Sequence, residues 1–226
     1  MAGQTAEITW RDGRLPISIK FDDPYYSADD GLAESRFVFL KGNDLPARFQ
    51  PGFHIGELGF GTGLNMLAAW KAWRDAGIDG PLSFTSFEAY PMARNDMARA
   101  LQTFPEMSDL ADPLLAAWPP GDKQIELPGL VLNVIIGDAR QTLANWKNRA
   151  DAWFLDGFAP ARNPELWEQG LLNDVARHTA PAGTFSTYTA AGAVRRALNA
   201  SGFQVERIAG FAGKRHMTIG RLDTVK

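Results

Sequence analysis

The sequence predicts an α/β fold, in which helices cover a mostly parallel sheet of seven strands and a small β-hairpin precedes it. From residue 53 onward, short apolar runs alternate with longer helical patterns. A glycine-rich turn follows the first apolar run, and acidic residues stand where the next runs end. Such alternation is typical of parallel sheets, because a helix must carry the chain back between parallel strands.

The elements follow in chain order. An Asp-Gly pair at 12–13 separates apolar runs at 9–10 and 16–19, which predicts a β-hairpin. Strands are predicted at 53–58, 82–88, 130–136, 151–156, 183–188, 203–208 and 216–221. Helices are predicted at 62–76, 91–103, 106–118, 139–148 and 190–200, and one that begins at Asn163-Pro164-Glu165, which supplies a cap, a proline and an early acid. We expect two units, a hairpin extension at 1–50 packed on a Rossmann-like domain at 51–226.

Composition excludes several classes of protein. The 226 residues are 45% hydrophobic and 22% charged, which suits one large α/β domain. Apolar runs stay shorter than the roughly 18 residues of a membrane span, and the N-terminus is not signal-like, so a cytoplasmic protein is expected. Without cysteine there is no disulfide, thiolate metal site, iron–sulfur cluster or cysteine nucleophile. The three histidines are too scattered to indicate a metal site.

The net charge of −3 does not indicate a nucleic-acid binder, but the charge is unevenly distributed. Residues 195–226 hold seven basic side chains against two acidic ones. This basic end could contact phosphates, and an ordinary solvated surface is the commoner meaning of such a stretch.

The glycine-rich turn predicts a cofactor site. Glu57 ends the strand, and glycines at 59, 61 and 63 follow in alternation. The dinucleotide fingerprint needs glycine where this chain has Leu64, whereas acid-x-G-x-G-x-G is the S-adenosylmethionine pattern. Bare backbone N–H groups would lie against the ligand at the start of the next helix. The residues predicted here to bind the cofactor are Glu57, Gly59, Phe60, Gly61, Gly63 and Asn65.

Further carboxylates follow the next strands. Ligands of an open α/β sheet collect beyond the carboxyl ends of its strands. Glu88 ends the second strand and is expected to accept hydrogen bonds from both ribose hydroxyls. Asp138 ends the third strand and is expected to accept from the adenine amine, with Ala139 against the ring.

The fourth strand ends at Asp156, where we expect the chemistry. Its position puts this carboxylate beside the sulfonium as well as the acceptor, so it is assigned to both sites. An amine attacks a methyl group only as a neutral nucleophile, so a carboxylate that orients it and receives its proton helps. Phe158 could stack on a planar base or fill the core.

Several segments together resemble the methyltransferase domain of the enzymes that complete 5-methylaminomethyl-2-thiouridine in tRNA, the MnmC family and its stand-alone MnmD relatives. The two most specific segments are DGLAESRFVFL at 30–40 and DAWFLDGFAPARNPELW at 151–167. The similarity covers nearly the whole chain. The tail at 210–217 reads GFAGKRHM where the family has GFGxKREM, so the glycine is displaced and the acid is lost.

The resemblance implies a class I methyltransferase that moves a methyl group from S-adenosylmethionine to the aminomethyl nitrogen of uridine 34 in tRNA. It places Asp156 at the reaction centre. The bifunctional relatives also carry an FAD-dependent oxidase domain, for which this chain has no room. Either the chain is a free-standing form, or a separate FAD-dependent oxidase or upstream wobble-modification enzymes supply its substrate.

The remaining predicted contacts are with the tRNA. Tyr25, Tyr26 and Arg36 could stack on a base and hold a phosphate, or could belong to an extension packed over the cofactor mouth. Lys214 and Arg215 could contact the anticodon-stem backbone or be surface charges.

Two other functions stay open on the sequence. An aminopropyltransferase would use a related fold and an aspartate near the same strand end, although the basic tail argues against a polyamine site. A noncatalytic cofactor-binding or RNA-binding module would not need Asp156.

Overall fold

A computed structural model describes residues 4–119 and 124–223. The chain begins with a three-stranded antiparallel sheet, β1 (Ile8–Arg11), β2 (Leu15–Ser18) and β3 (Asp23–Pro24). Asp12 and Gly13 turn between the first two strands with positive φ angles, so the predicted hairpin is confirmed. The third strand was not predicted, because two residues carry no periodicity.

A short helical stretch joins this sheet to the core. It comprises α1 (Gly31–Ser35), a π-helical turn (Arg36–Leu40) and a 3-10 turn (Lys41–Asn43). The Asp30 carboxylate caps α1 by accepting a hydrogen bond from the Ala33 N–H at 2.8 Å. The stretch is anchored because its apolar side chains, including Val38 and Phe39, are buried in the main core.

The remaining elements form an eight-stranded sheet and its helices. The strands are β4 (His54–Leu58), β5 (Leu82–Glu88), β6 (Ile125–Leu127), β7 (Leu130–Ile136), β8 (Ala150–Leu155), β9 (Thr179–Thr187), β10 (Phe203–Ala209) and β11 (His216–Leu222). The helices are α2 (Leu64–Ala76), α3 (Arg94–Leu101), α4 (Ser108–Ala117), α5 (Ala139–Asn145), α6 (Gln169–Arg177) and α7 (Gly192–Ala200), with 3-10 turns at Pro105–Met107 and Pro164–Trp167.

The strand order is β10-β11-β9-β8-β4-β5-β7-β6. Neighbouring strands from β9 to β7 are parallel, whereas β6 and β11 run antiparallel to their neighbours. The predicted α/β class is confirmed, but the predicted count of seven strands is one too low. The sequence did not reveal β6 because it has only three residues and pairs at the edge of the sheet.

The helix predicted to begin at Asn163 is also different in the structure. Asn163 precedes a 3-10 turn and its side chain makes no capping hydrogen bond. Glu168 is extended, with ψ at 144°, and α6 begins only after it. The local cap signal therefore marks a 3-10 turn ahead of the α-helix.

Helices cover both faces of the sheet. One buried cluster joins the sheet to α1–α4, and a second joins it to α5–α7. Tryptophans contribute to both clusters, and Trp70, Trp73 and Trp153 are each 1% exposed or less. Along the parts of the chain that the structure describes, no helix combines the length and apolar character needed to span a bilayer.

The topology fixes where a ligand can bind. Strands β8 and β5 flank β4, so strand order reverses at β4. The carboxyl ends of β7, β5, β4 and β8 therefore lie side by side at one edge of the sheet. This is the switch point at which open α/β sheets bind their ligands.

Candidate active site

A cleft of about 1160 Å³ opens at this edge of the sheet. Most of the residues predicted for the site line it: Tyr25, Tyr26, Gly59, Phe60, Gly61, Asn65, Glu88, Asp138, Ala139, Asp156, Phe158 and Lys214. The others, Glu57, Gly63, Arg36 and Arg215, do not line it. The structure thus brings most of the predicted residues to one cleft and places four of them outside its lining.

The turn after β4 requires glycine because two strand ends meet there. Gly59 has a φ of 88°, and a Cβ atom at this position would lie 2.7 Å from the Asp156 carbonyl oxygen. The Asp156 N–H donates to the Leu58 carbonyl at 3.1 Å. This close approach holds Asp156 next to the glycine turn.

Glu88 already binds the glycine turn. Its carboxylate accepts from the N–H groups of Phe60 at 2.9 Å and Gly61 at 3.1 Å, and from that of Tyr90 at 2.7 Å. Two N–H groups that we expected to face a ligand are therefore engaged by Glu88. A carboxylate has about four acceptor positions, so roughly one remains for a ribose hydroxyl. Burial raises the pKa of Glu88, and these backbone N–H groups lower it.

Asp138 is likewise engaged. It caps α5 by accepting from the Arg140 N–H at 2.9 Å, and it forms an ion pair with the Arg140 guanidinium at 2.6 Å. The hydrogen bond from Arg140 lowers the pKa of Asp138. Since Arg140 also lines the cleft, an adenine amine would share this carboxylate with it. Arg140 was not predicted to belong to the site, although it stands two residues after Asp138.

Glu57 does not line the cleft, but it contacts a residue that does. Its side chain is fully buried, and it accepts a hydrogen bond from the Asn65 amide at 3.1 Å. The same amide donates to the Asp156 carboxylate at 2.6 Å, and the Ser35 hydroxyl donates to the Asn65 oxygen at 2.6 Å. Burial raises the pKa of Glu57 well above its ordinary value, and the charge of Asp156 adds to this. Glu57 therefore acts on the cleft through Asn65.

Gly63 is likewise set back from the cleft. It precedes α2 with a φ of 77°, and its Cα faces the Phe60 ring, which a Cβ atom would approach to 3.0 Å. We therefore expect Gly63 to shape the loop without touching the ligand.

The Asp156 carboxylate is suited to exchange a proton near neutral pH. Burial raises its pKa to about 7, the Asn65 hydrogen bond lowers it, and the nearby charges of Glu34 and Lys214 raise and lower it respectively. A general base works best when its pKa lies near the working pH. This carboxylate can therefore orient an amine and receive its proton.

Aromatic rings form the wall beside Asp156. Phe158 stacks on Phe21 at a centroid distance of 4.9 Å and meets the edge of Tyr25 at 5.1 Å. The Tyr26 hydroxyl lies 3.1 Å from the Arg14 carbonyl and 3.3 Å from the Ala100 carbonyl in α3, so it ties the extension to the main domain. The sequence left two interpretations of the N-terminal segment, direct contact with the tRNA or an ordered extension packed over the mouth of the cleft. The second describes Tyr26 better.

Three residues that line the cleft, Glu34, Ser35 and Tyr188, were not predicted from the sequence. Glu34 and Tyr188 line the cleft together with Lys214, whose ammonium pairs with Glu34 at 2.6 Å. The Tyr188 hydroxyl donates to the Gly157 carbonyl at 2.8 Å. Tyr188 directly follows β9, so the strand-end rule that found the acids could have found it. Ser35 and Glu34 lie within the specific segment at 30–40.

The other basic residues predicted for the substrate lie elsewhere. Arg36 and Arg215 are exposed and outside the cleft. Arg36 belongs to the π-helical turn, whose buried residues face the core, so its side chain is left outside. In the tail, Ala212 has a φ of 47°, a left-handed conformation that suits the glycine found there in the family.

The cleft fits S-adenosylmethionine in volume and in chemistry. The glycine turn excludes a Cβ atom, and a buried carboxylate stands ready for a ribose. Glu88, Asp138, Ala139 and Asn65 are the residues that would hold the cofactor. Within residues 4–119 and 124–223, no cluster of three or more His, Asp or Glu side chains is arranged to hold a metal ion.

Known proteins resemble this chain strongly. The tRNA 5-methylaminomethyl-2-thiouridine biosynthesis bifunctional protein MnmC of Stutzerimonas stutzeri is 44% identical over 234 residues, covering 99% of this chain and 36% of that protein. MnmC of Caulobacter sp. (strain K31) is 45% identical over 229 residues, covering 95% and 38%. The chain thus spans about a third of the length of these relatives.

Solved structures of known proteins share the fold of this chain. MNMC2 from Aquifex aeolicus superposes with a TM-score of 0.78 at 26% identity, covering 99% of this chain and 72% of that one. Spermidine synthase from Thermotoga maritima has a TM-score of 0.56 at 10% identity, covering 97% and 72%, and shows only a shared fold. Residues 105–223 match the family described as S-adenosyl-L-methionine-dependent methyltransferase, which is more than half of the chain. The chain therefore belongs to the S-adenosyl-L-methionine-dependent methyltransferases, as its resemblance to the MnmC methyltransferase domain implied.

Proposed function

We propose that this protein transfers the methyl group of S-adenosylmethionine to the aminomethyl nitrogen on C5 of uridine 34, or 2-thiouridine 34, in tRNA. The product is 5-methylaminomethyl-2-thiouridine or its oxygen counterpart. The observation that carries the proposal is the position of Asp156, whose carboxylate faces the cleft with a pKa of about 7. The names of the MnmC relatives supply the nucleoside.

The chain's own residues perform two tasks in this reaction. The bound cofactor supplies an electrophilic methyl group. The glycine turn, Glu88 and Asn65 fix the donor, while Asp156 accepts a hydrogen bond from the acceptor amine and then its proton. Asn65 holds the Asp156 carboxylate in place from a distance of 2.6 Å. Most of the rate comes from this alignment, for which about 7 to 11 kcal/mol is available in well-oriented reactions.

The proposed partner is the anticodon stem-loop of tRNA, in the cytoplasm. Aromatic side chains beside Asp156, such as Phe158 and Tyr25, suit a splayed single-stranded base. The relatives are bifunctional by name and longer than this chain, so an oxidase that produces the aminomethyl group is a possible further partner.

The proposal is tested with labelled S-adenosylmethionine and three anticodon stem-loops, which carry uridine, 5-aminomethyluridine or 5-aminomethyl-2-thiouridine at position 34. We expect label only in the two RNAs that bear the amine, and nucleoside mass spectrometry should identify the methylaminomethyl product. Label in the uridine RNA, or none in all three, would refute the proposal. Aminopropyl transfer from the decarboxylated donor to putrescine would favour the aminopropyltransferase alternative.

A further inference from the structure

The ammonium of Lys214 lies between a carboxylate and an aromatic ring on the wall of the cleft. Its Nζ atom lies 2.6 Å from the Glu34 carboxylate and 4.9 Å from the centroid of the Tyr188 ring. A carboxylate paired with the face of an aromatic ring is a recurrent way for proteins to bind an alkylammonium group. The side chain of this chain's own lysine thus shows what kind of ligand the site accepts.

The side chains of Glu34 and Tyr188 are held in place by the fold, whereas the side chain of Lys214 is long and flexible. Glu34 belongs to α1 and its side chain is only 12% exposed. The Tyr188 hydroxyl is held by the Gly157 carbonyl, next to Asp156. Lys214 lies in the loop between β10 and β11, its side chain is 48% exposed, and its four-carbon stem can swing toward solvent.

The site is also coupled to the reaction centre. The negative charge of Glu34 raises the pKa of Asp156, and the positive charge of Lys214 lowers it. All four side chains line the same cleft. An ammonium bound by Glu34 and Tyr188 would therefore stand within reach of the carboxylate that must take its proton.

We propose that Glu34 and Tyr188 form the subsite for the primary ammonium group of the methyl acceptor, and that Lys214 occupies this subsite until the acceptor displaces it. This inference rests on the proposed function, because it assumes an amine acceptor. Exchange of one ammonium for another leaves the local charge unchanged, so neither carboxylate is left buried and unpaired. Asp156 then removes a proton from the bound ammonium. The neutral amine would form a bond to the methyl carbon as the carbon–sulfur bond of the donor breaks, which leaves S-adenosylhomocysteine and a secondary ammonium group.

The test uses 5-aminomethyluridine as the free nucleoside, since it has no phosphate that Lys214 could contact. Lys214→Met should lower the KM for the nucleoside about tenfold, because the internal competitor is gone. Glu34→Gln should raise this KM by about tenfold or more, because the counter-charge is gone. Lys41→Met is the control, since Lys41 lies over Phe37 outside the cleft and should leave the KM unchanged.

A second readout separates binding of the amine from a general structural effect. The apparent pKa in the profile of kcat/KM against pH should rise in Lys214→Met and fall in Glu34→Gln, since the two charges act on Asp156 with opposite sign. Calorimetric affinity for S-adenosylmethionine should stay within about twofold in both variants, which also shows that they are folded.

The proposal is overturned if Lys214→Met has the wild-type KM or a higher one for the nucleoside, or if Glu34→Gln leaves that KM unchanged. In either case the wild-type protein would still methylate aminomethyl RNA, and the proposed function would stand. A wild-type protein that methylates no aminomethyl acceptor would refute the proposed function, and with it the amine subsite.

Discussion

At the scale of single residues, the environment of a carboxylate determines its role in this protein. Asp138 is paired with Arg140, which lowers its pKa, so it stays ionised. Asp156 is partly buried, which raises its pKa to about 7. Although both carboxylates end parallel strands, only Asp156 is suited to exchange a proton near neutral pH.

The pH dependence of the rate should report the ionisation of Asp156. For the wild-type protein, kcat/KM should rise with pH through about 7, because Asp156 accepts a proton only when it is ionised. Asp156→Asn should remove this inflection and lower kcat by about 10² to 10⁴-fold, while the affinity for the cofactor changes little. Labelled methyl transfer across pH and calorimetry measure the two quantities. Asp109→Asn, an exposed change on α4, should behave as the wild type, and a wild-type rate in Asp156→Asn would contradict the assigned role.

The pH dependence of the free energy of unfolding should also report the protonation of Asp156. The pKa of Asp156 is about 7 in the folded state and near its ordinary value when unfolded, so the folded state binds the proton more tightly. Its contribution is fully present below the unfolded pKa and is lost as pH rises from about 4 to 7. Asp156→Asn, which stays neutral, should be more stable than the wild type at pH 8, by up to about 4 kcal/mol for a shift of this size, and nearly equal to it near pH 4. Urea unfolding at both pH values checks this, and a pH-independent difference would contradict it.

At the scale of elements, the joint between β4 and β8 forms the site. The glycine turn lets the two strand ends approach, and Glu88 at the end of β5 binds the turn from the other side. The reaction centre is thus built from the ends of three adjacent strands. A change that separates them should disturb the cofactor and Asp156 together.

A comparison of two glycines distinguishes the cost of losing the close approach to Asp156 from the cost of a positive φ angle in a residue other than glycine. Gly59 and Gly52 have φ angles of 88° and 81°, but a Cβ atom at Gly52 would meet nothing within 4 Å. Gly52→Ala should cost about 1 to 2 kcal/mol, the penalty for a left-handed residue. Gly59→Ala should cost more, about 3 kcal/mol or above, because the Asp156 carbonyl must also move. Urea unfolding measures both, and equal losses would show that the close approach is unimportant.

At the scale of the whole molecule, the N-terminal extension completes the cleft. The Asp23 carboxylate in β3 accepts a hydrogen bond from the Ala159 N–H at 2.9 Å, in the loop that follows Asp156. Asp22 beside it pairs with Arg162 at an exposed position. The extension therefore fixes the loop that carries Phe158, in addition to contributing Tyr25 and Glu34.

These neighbouring aspartates give a matched pair of variants. Asp23→Ala should raise the KM for the RNA acceptor by about tenfold, because the Phe158 loop loses its tie, while the affinity for S-adenosylmethionine stays within about twofold. Asp22→Ala should change neither quantity appreciably, since exposed ion pairs contribute little. Steady-state kinetics and calorimetry are the measurements. Equal effects of the two changes would argue against a specific tie through Asp23.

Much of the architecture could be predicted from local patterns. The strand that ends at Glu88 and the strand at Leu130–Ile136 were predicted with the bounds that the structure has, because short stretches rich in apolar residues and bounded by turns have few alternatives. The edge strand β6 and the 3-10 turn at Pro164–Trp167 were missed, because short elements depend on their neighbours more than on their own sequence.

Local patterns in the chain specify the class of fold, the glycine turn and the acids at the strand ends, since periodicity, spacing and residue type are local properties. Long-range packing, in contrast, places Asn65 between Glu57 and Asp156, Arg140 beside Asp138, and Lys214 against Glu34. Glu34 and Lys214 are 180 residues apart in the chain. Contacts of that kind depend on how distant segments pack, and packing also sets the burial that raises the pKa of Asp156 to about 7.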